Sequence, residues 1–207
     1  MDWSEFGKAG AEAAAWAQRY HETLRDRPVR AQVAPGAILD QVPMTPPDHA
    51  EDLDRILGDL DQIVVPGMTH WQHPRFFAYF PANAAPVSVL AEYYVSAMAA
   101  QCMLWQTSPA ATELETRVVD WMRQAVGLPD GFAGSIQDSA STATLCAVLT
   151  MREKALGWTG NREGLSGKGR LRIYCSDQVH SSIDRAAWVA GIGQENLIRV
   201  PVAGPLC

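Results

Sequence analysis

Apolar positions fall at helical spacing through the start of the chain. Phe6, Ala13, Trp16, Ala17, Tyr20 and Leu24 form one stripe, and Asp2 with Glu5 has the pattern of a capping box. This predicts a helix to about Arg25, ended by Pro28. Five prolines follow, at 28, 35, 43, 46 and 47, and predict an extended connector. Asp48 and Glu51 suggest a second capped helix whose buried face is Leu53, Ile56, Leu57 and Leu60, stopping near Pro66-Gly67. Met68 to Pro86 is irregular and aromatic. Trp71, Phe76, Phe77, Tyr79 and Phe80 are too dense for a solvated loop and predict burial, with Phe76 and Phe77 as core. Pro86 opens a helix to about Cys102, and Ser108 with Pro109 starts another, lined by Leu114, Val118, Met122 and Ala125 and stopped by Gly127.

The period changes after Gly134. Ser135 to Gln137 reads as a short strand, Ala140 to Leu156 as a helix, Arg170 to Cys175 as a strand, Ser181 to Ala190 as a helix and Leu197 to Val202 as a strand. The polar, glycine-rich stretch Trp158 to Gly169 reads as a mobile surface loop. Strand–helix alternation predicts a mainly parallel α/β sheet, which needs helices on both faces. Two parts are expected: residues 1–85, a helical arm with the aromatic loop, and residues 86–207, the first part of an α/β domain.

Composition narrows the function. Apolar residues make up 47% of the 207, ordinary for a globular protein, and the net charge of −6 argues against nucleic acid as a partner. No stretch has the length of a membrane span, and the charged, alanine-rich start lacks the features of a signal peptide. Cys102, Cys146, Cys175 and Cys207 show no metal-ligand spacing; they fit reduced thiols of a cytoplasmic protein, at least the first three as buried small hydrophobes.

Two turns carry candidate chemistry. Ser139-Ala140-Ser141 offers hydroxyls and free N–H groups at a helix start, suited to phosphate, although serine there is also an ordinary N-cap. Asp138 would repel phosphate and should point away. His180 stands between a strand and a helix, where an α/β sheet presents ligand-facing side chains; taken alone it reads rather as a helix-capping histidine bonded to nearby backbone. His70 and His73 read as loop histidines bonded to backbone, with no third ligand for a metal.

Four segments in order, WQHPRFFAYFP (71–81), SPAATELE (108–115), IQDSASTA (136–143) and SDQVHSSIDRAA (176–187), resemble the aromatic-L-amino-acid decarboxylases, group II pyridoxal-5′-phosphate (PLP) enzymes. The resemblance covers the N-terminal portion of a family member. It implies a fold-type I PLP-dependent transferase-like domain, of which this chain holds the first part of the sheet, preceded by an N-terminal helical arm that packs in a homodimer. It implies decarboxylation of an aromatic L-amino acid to its amine, with aromatic acetaldehyde synthesis on the same scaffold, or a non-catalytic fragment, as the alternatives. By the same resemblance Ser139, Ala140 and Ser141 hold the cofactor phosphate, and His180 stacks on the cofactor ring and acts in catalysis. Trp71, Tyr79, Phe80 and Pro81 line the substrate pocket; Trp105 is a pocket or dimer-interface wall. The family's Schiff-base lysine has no counterpart among Lys8, Lys154 and Lys168, so the 207 residues alone are expected to lack decarboxylase activity.

Overall fold

The computed structural model describes residues 1–80 and 84–204, arranged as two compact units, Met1–Ala99 and Ala100–Cys207. In the first unit, α1 spans Trp3–Glu22. Its capping box is complete: the Asp2 carboxylate accepts from the Ser4 N–H at 2.7 Å, and Glu5 accepts from the Asp2 N–H at 3.1 Å. The helix stops at Thr23, whose hydroxyl donates to the Arg19 carbonyl at 2.8 Å, and a 3-10 turn, Leu24–Asp26, follows. The predicted stripe is half-buried, except that Leu24 at its end is buried and Ala13 within it is exposed.

The proline connector is irregular apart from a 3-10 turn at Leu39–Gln41. It folds back on the next helix so closely that a Cβ on Gly67 would lie 2.9 Å from Cδ1 of Ile38, which explains glycine there. That helix, α2, covers Leu53–Asp59 and runs on through a π turn, Leu60–Val64, to a 3-10 turn, Val65–Gly67. It starts later than Asp48 and Glu51 suggested. Asp52 holds the N-cap position without a side-chain cap, and Glu51 pairs instead with Arg55 at 3.2 Å. Helix α3, Pro86–Met98, ends four residues before Cys102 because Ala99 turns left-handed (φ 45).

In the second unit, α4 spans Pro109–Ala125 with Pro109 in its first turn, but the Ser108 side chain makes no capping bond. Leu114 and Met122, predicted to line it, are exposed. No strand forms at Ser135–Gln137; the Ile136 N–H is taken at 2.7 Å by the Glu115 carboxylate rather than by a neighbouring strand. The alternation then follows as read: α5, Ala140–Ala155; β1, Ile173–Ser176; α7, Ser182–Val189; β2, Leu197–Val200. The two strands are parallel and paired from Ile173↔Leu197 to Ser176↔Val200, so β1, α7 and β2 make one βαβ unit.

A small core lies where α5 packs on α7. Val148, Ala186, Ala190 and Ile192 are buried, with Leu145, Leu149, Leu171 and Ile173 against them. Alanines at 186 and 190 let the helices approach closely. The loop expected to be mobile is partly ordered by a four-residue helix, α6, Gly160–Glu163. The buried carboxylate of Glu153 accepts from the Asn161 N–H at 3.0 Å and from Arg152, whose Nη1 also donates to the Ala190 carbonyl at 2.8 Å. Burial raises the Glu153 carboxyl, but these donors outweigh it and hold it below the ordinary value. The cysteines were expected to be buried; Cys102 and Cys146 are exposed and Cys175 is half-buried. Among the described residues no helix is long and apolar enough to cross a membrane.

Candidate functional site

The start of α5 is an open donor site. Ser139 is its N-cap in extended conformation, and its Oγ accepts from the Thr142 N–H at 3.2 Å and lies 3.1 Å from the Thr142 hydroxyl. Among the described residues the N–H groups of Ala140 and Ser141 have no acceptor. They are the orphan donors of a 16-residue helix, and the helix dipole adds positive potential at that end. Asp138, just before the cap, is exposed.

His180 sits in the turn between β1 and α7. Its Nδ1 accepts from the Ser182 N–H at 3.2 Å, so the contact expected of a capping histidine is present. That bond uses one edge of the ring. It makes Nε2 the protonated nitrogen of the neutral form, and the side chain remains exposed. The turn itself is fixed to the sheet: the Gln178 N–H donates to Ser176 Oγ at 2.9 Å, and the Asp177 N–H donates to the Val200 carbonyl at 3.1 Å. Asp184 on α7 pairs with Arg199 on β2 at 2.6 Å; that guanidinium lowers the Asp184 carboxyl, and the carboxylate raises Arg199.

Sequence reading passed over three contributors. Thr142 completes the Ser139 cap. Ser182 and Arg185 line, with Ser141 and Thr142, a small cleft between α5 and α7. Only helical phase, placing 182, 185, 186 and 189 on one face of α7, could have signalled the last two.

The aromatic segment belongs to the first unit. Trp71 stacks on Phe76 (centroids 5.1 Å) and on Tyr79 (5.6 Å), a three-ring array. Tyr79 adopts φ 57, a left-handed conformation unusual for a residue with a large side chain. The predicted burial is not found: Phe77, Tyr79 and Phe80 are 91%, 79% and 102% exposed, and Phe76 alone of the predicted core pair is half-buried. Pro81 lies outside the described residues. Trp105 is exposed in the second unit, with Nε1 donating to Glu113 at 2.9 Å.

The histidines flanking Trp71 are both buried, at 3% exposure. His73 is bonded to backbone as expected: Nδ1 accepts from the Arg75 N–H at 3.0 Å and Nε2 donates to the Arg25 carbonyl at 3.3 Å. His70 instead meets a side chain, the Tyr20 hydroxyl, at 2.8 Å. No group of side chains among the described residues could hold a metal ion.

Comparison with known proteins places these features. The sequence profile described as the pyridoxal-dependent decarboxylase conserved domain matches residues 35–205. The chain is 38% identical over 203 residues to 4-hydroxyphenylacetaldehyde synthase of Rhodiola rosea, covering 95% of this chain and 41% of that protein. It is 37% identical over 202 residues to tyrosine decarboxylase 1 of Narcissus pseudonarcissus, covering 95% of this chain and 38% of that protein. The crystal structure of Catharanthus roseus tryptophan decarboxylase in complex with L-tryptophan superposes with a TM-score of 0.89 at 33% identity, over 98% of this chain and 43% of that one. The chain thus spans about two-fifths of the length of these relatives. The chain belongs to the pyridoxal-dependent decarboxylase family.

Proposed function

We propose that this chain is part of an enzyme that decarboxylates an aromatic L-amino acid to its amine with PLP as cofactor. The observation that carries the reading is the open start of α5, where Ala140 and Ser141 present N–H groups without acceptors beside the Ser139 hydroxyl. This donor set fits a phosphate dianion: it supplies main-chain donors, hydroxyls and helix-end potential without a lysine. When bound, PLP supplies an electron-withdrawing ring on which loss of CO₂ from an amino acid becomes feasible.

The chain's own residues then have distinct tasks. Ser139, Ala140 and Ser141 hold the phosphate and fix its position. His180, anchored through Nδ1, offers its ring face to orient the cofactor and Nε2 to hold or move a proton. Trp71, Tyr79, Phe80 and Pro81 receive the planar side chain of the substrate and exclude water from it. The fold-type I assignment of the whole domain, a homodimer formed through the N-terminal arm and a cytoplasmic location belong to the same proposal. Exposed apolar side chains along α3, Val87, Leu90, Tyr94 and Met98, support a further surface packing on this unit, whereas Trp16, Tyr20 and Leu24 of α1 are covered within the chain itself.

Aldehyde synthesis on the same scaffold is the second reading, since a relative at 38% identity carries that name. The two are separated by product analysis on the complete protein: amine and CO₂ alone support decarboxylation, whereas aldehyde with ammonia supports the synthase.

A further inference from the structure

His70 belongs to a buried cluster for which the proposed reaction has no use. Its Nδ1 lies 2.8 Å from the Tyr20 hydroxyl, and its ring is tilted against the Tyr20 ring at 5.7 Å. The Arg27 guanidinium lies over the other partner, 5.2 Å from the Tyr20 centroid, and its Nε is buried without a hydrogen bond. Main-chain bonds make His70 a fixed point: its N–H donates to the Val29 carbonyl at 2.9 Å, and its carbonyl accepts from the His73 N–H at 3.0 Å. The next turn, Phe76 N–H to the His73 carbonyl at 2.9 Å, carries the ring that stacks on Trp71. The Trp71 array is therefore built outward from His70.

We infer that His70 is a positioning residue for the Trp71 array: uncharged, it clamps the array to α1 through Tyr20, and on taking up a proton it releases that clamp. This rests on the proposed role of Trp71 in binding the substrate. The titratable and charged groups of the cluster are Arg27, His73, Tyr20 and His21, the last edge-on to Tyr20. The carboxylate of the network, Asp61, is engaged one ring further on by Trp16 Nε1 at 2.8 Å. A proton on His70 thus arrives beside the Arg27 guanidinium in a buried site. Burial first, then the nearby Arg27 guanidinium and the His73 ring, hold the imidazole below its ordinary value. The folded cluster binds fewer protons than the unfolded chain, so the clamp is intact above about pH 6.5 and weakens as pH falls below it. The Tyr20 bond can persist with its donor reversed; repulsion and desolvation open the clamp.

The test is Trp71 fluorescence, taken as the difference between the full protein and its Trp71→Phe variant, with acrylamide quenching followed from pH 8 to pH 5. The expected result is one transition, with a midpoint below about 6.5, to a more quenchable Trp71. His70→Gln should lose the transition. Arg27→Gln, which keeps the imidazole, should move its midpoint upward and reduce its amplitude. In the holoenzyme the same transition should raise KM for an aromatic substrate and leave kcat unchanged. A wild-type signal flat with pH, or a transition that survives His70→Gln, overturns the inference, as does an unmoved midpoint in Arg27→Gln. The optical measurement needs no substrate; an optical transition with unchanged KM would uphold the clamp and refute Trp71 as a substrate wall.

Discussion

The backbone N–H of Ser182 donates to Nδ1 of His180 at 3.2 Å, tying the imidazole to the first turn of α7. One contact serves two purposes. It occupies a donor at the helix start, and it fixes the ring tautomer, so that the proton sits on Nε2, where it can be held or donated. His180→Ala in the complete enzyme is expected to lower turnover by about 10²–10⁴-fold, the usual cost of one acid–base group. Steady-state kinetics on PLP-saturated protein checks this. Unchanged turnover with cofactor retained would reduce His180 to a cap.

Ser139→Ala should act twice. The Thr142 N–H loses its acceptor, which typically costs about 0.5–2 kcal/mol of helix or protein stability. PLP affinity should also fall, because a hydroxyl leaves the phosphate site. Urea unfolding of the cofactor-free protein measures the first effect, and a PLP absorbance titration the second. Loss of stability with unchanged PLP affinity would leave Ser139 as a cap and remove it from the cradle.

The Asp184–Arg199 pair joins α7 to β2, and Arg199 lowers the Asp184 carboxyl. A depressed carboxyl stabilises the fold above its unfolded value, about 3.9, and loses that contribution as pH falls through the folded value. Asp184→Asn should therefore reduce stability near neutrality and flatten the loss of stability in acid. Thermal unfolding at several pH values reads this directly; parallel curves for wild type and variant would contradict it.

Lysine chemistry offers a separate check. Lys168 is held by Thr159 and Glu163, and Lys8 lies on α1 against Glu12. Borohydride reduction of the PLP-loaded complete protein, followed by peptide mapping, should give no adduct on Lys8, Lys154 or Lys168. An adduct on any of them would overturn the residue assignments.

Much of this was legible in the sequence where local chemistry decides the structure. The Asp2–Glu5 capping box, Pro109 in the first turn of α4, and the order α5, β1, α7, β2 all follow from spacing and caps. Features set by distant contacts were not. Ser135–Gln137 has a strand-like pattern, yet Ile136 is bonded by Glu115, 21 residues away. The left-handed turns at Tyr79 and Ala99 carry no glycine to announce them. Burial was over-read in the aromatic segment, because density of rings signals a covered surface without saying what covers it. At the site, the Ser139 cap and the His180 turn were visible as motifs. Arg185 and Ser182 were not, because they share a cleft with Ser141 only once α7 packs on α5.

The central claim is PLP-dependent decarboxylation of an aromatic L-amino acid. Its most direct test is to incubate the complete protein with PLP and L-tryptophan, L-tyrosine, L-phenylalanine or L-dopa in turn, quantifying CO₂, amine, aldehyde and ammonia against PLP alone. CO₂ and the matching amine are expected in equal amounts for at least one of these substrates, well above the free cofactor. No CO₂ above free PLP with any of them, or aldehyde and ammonia in place of amine, would contradict it.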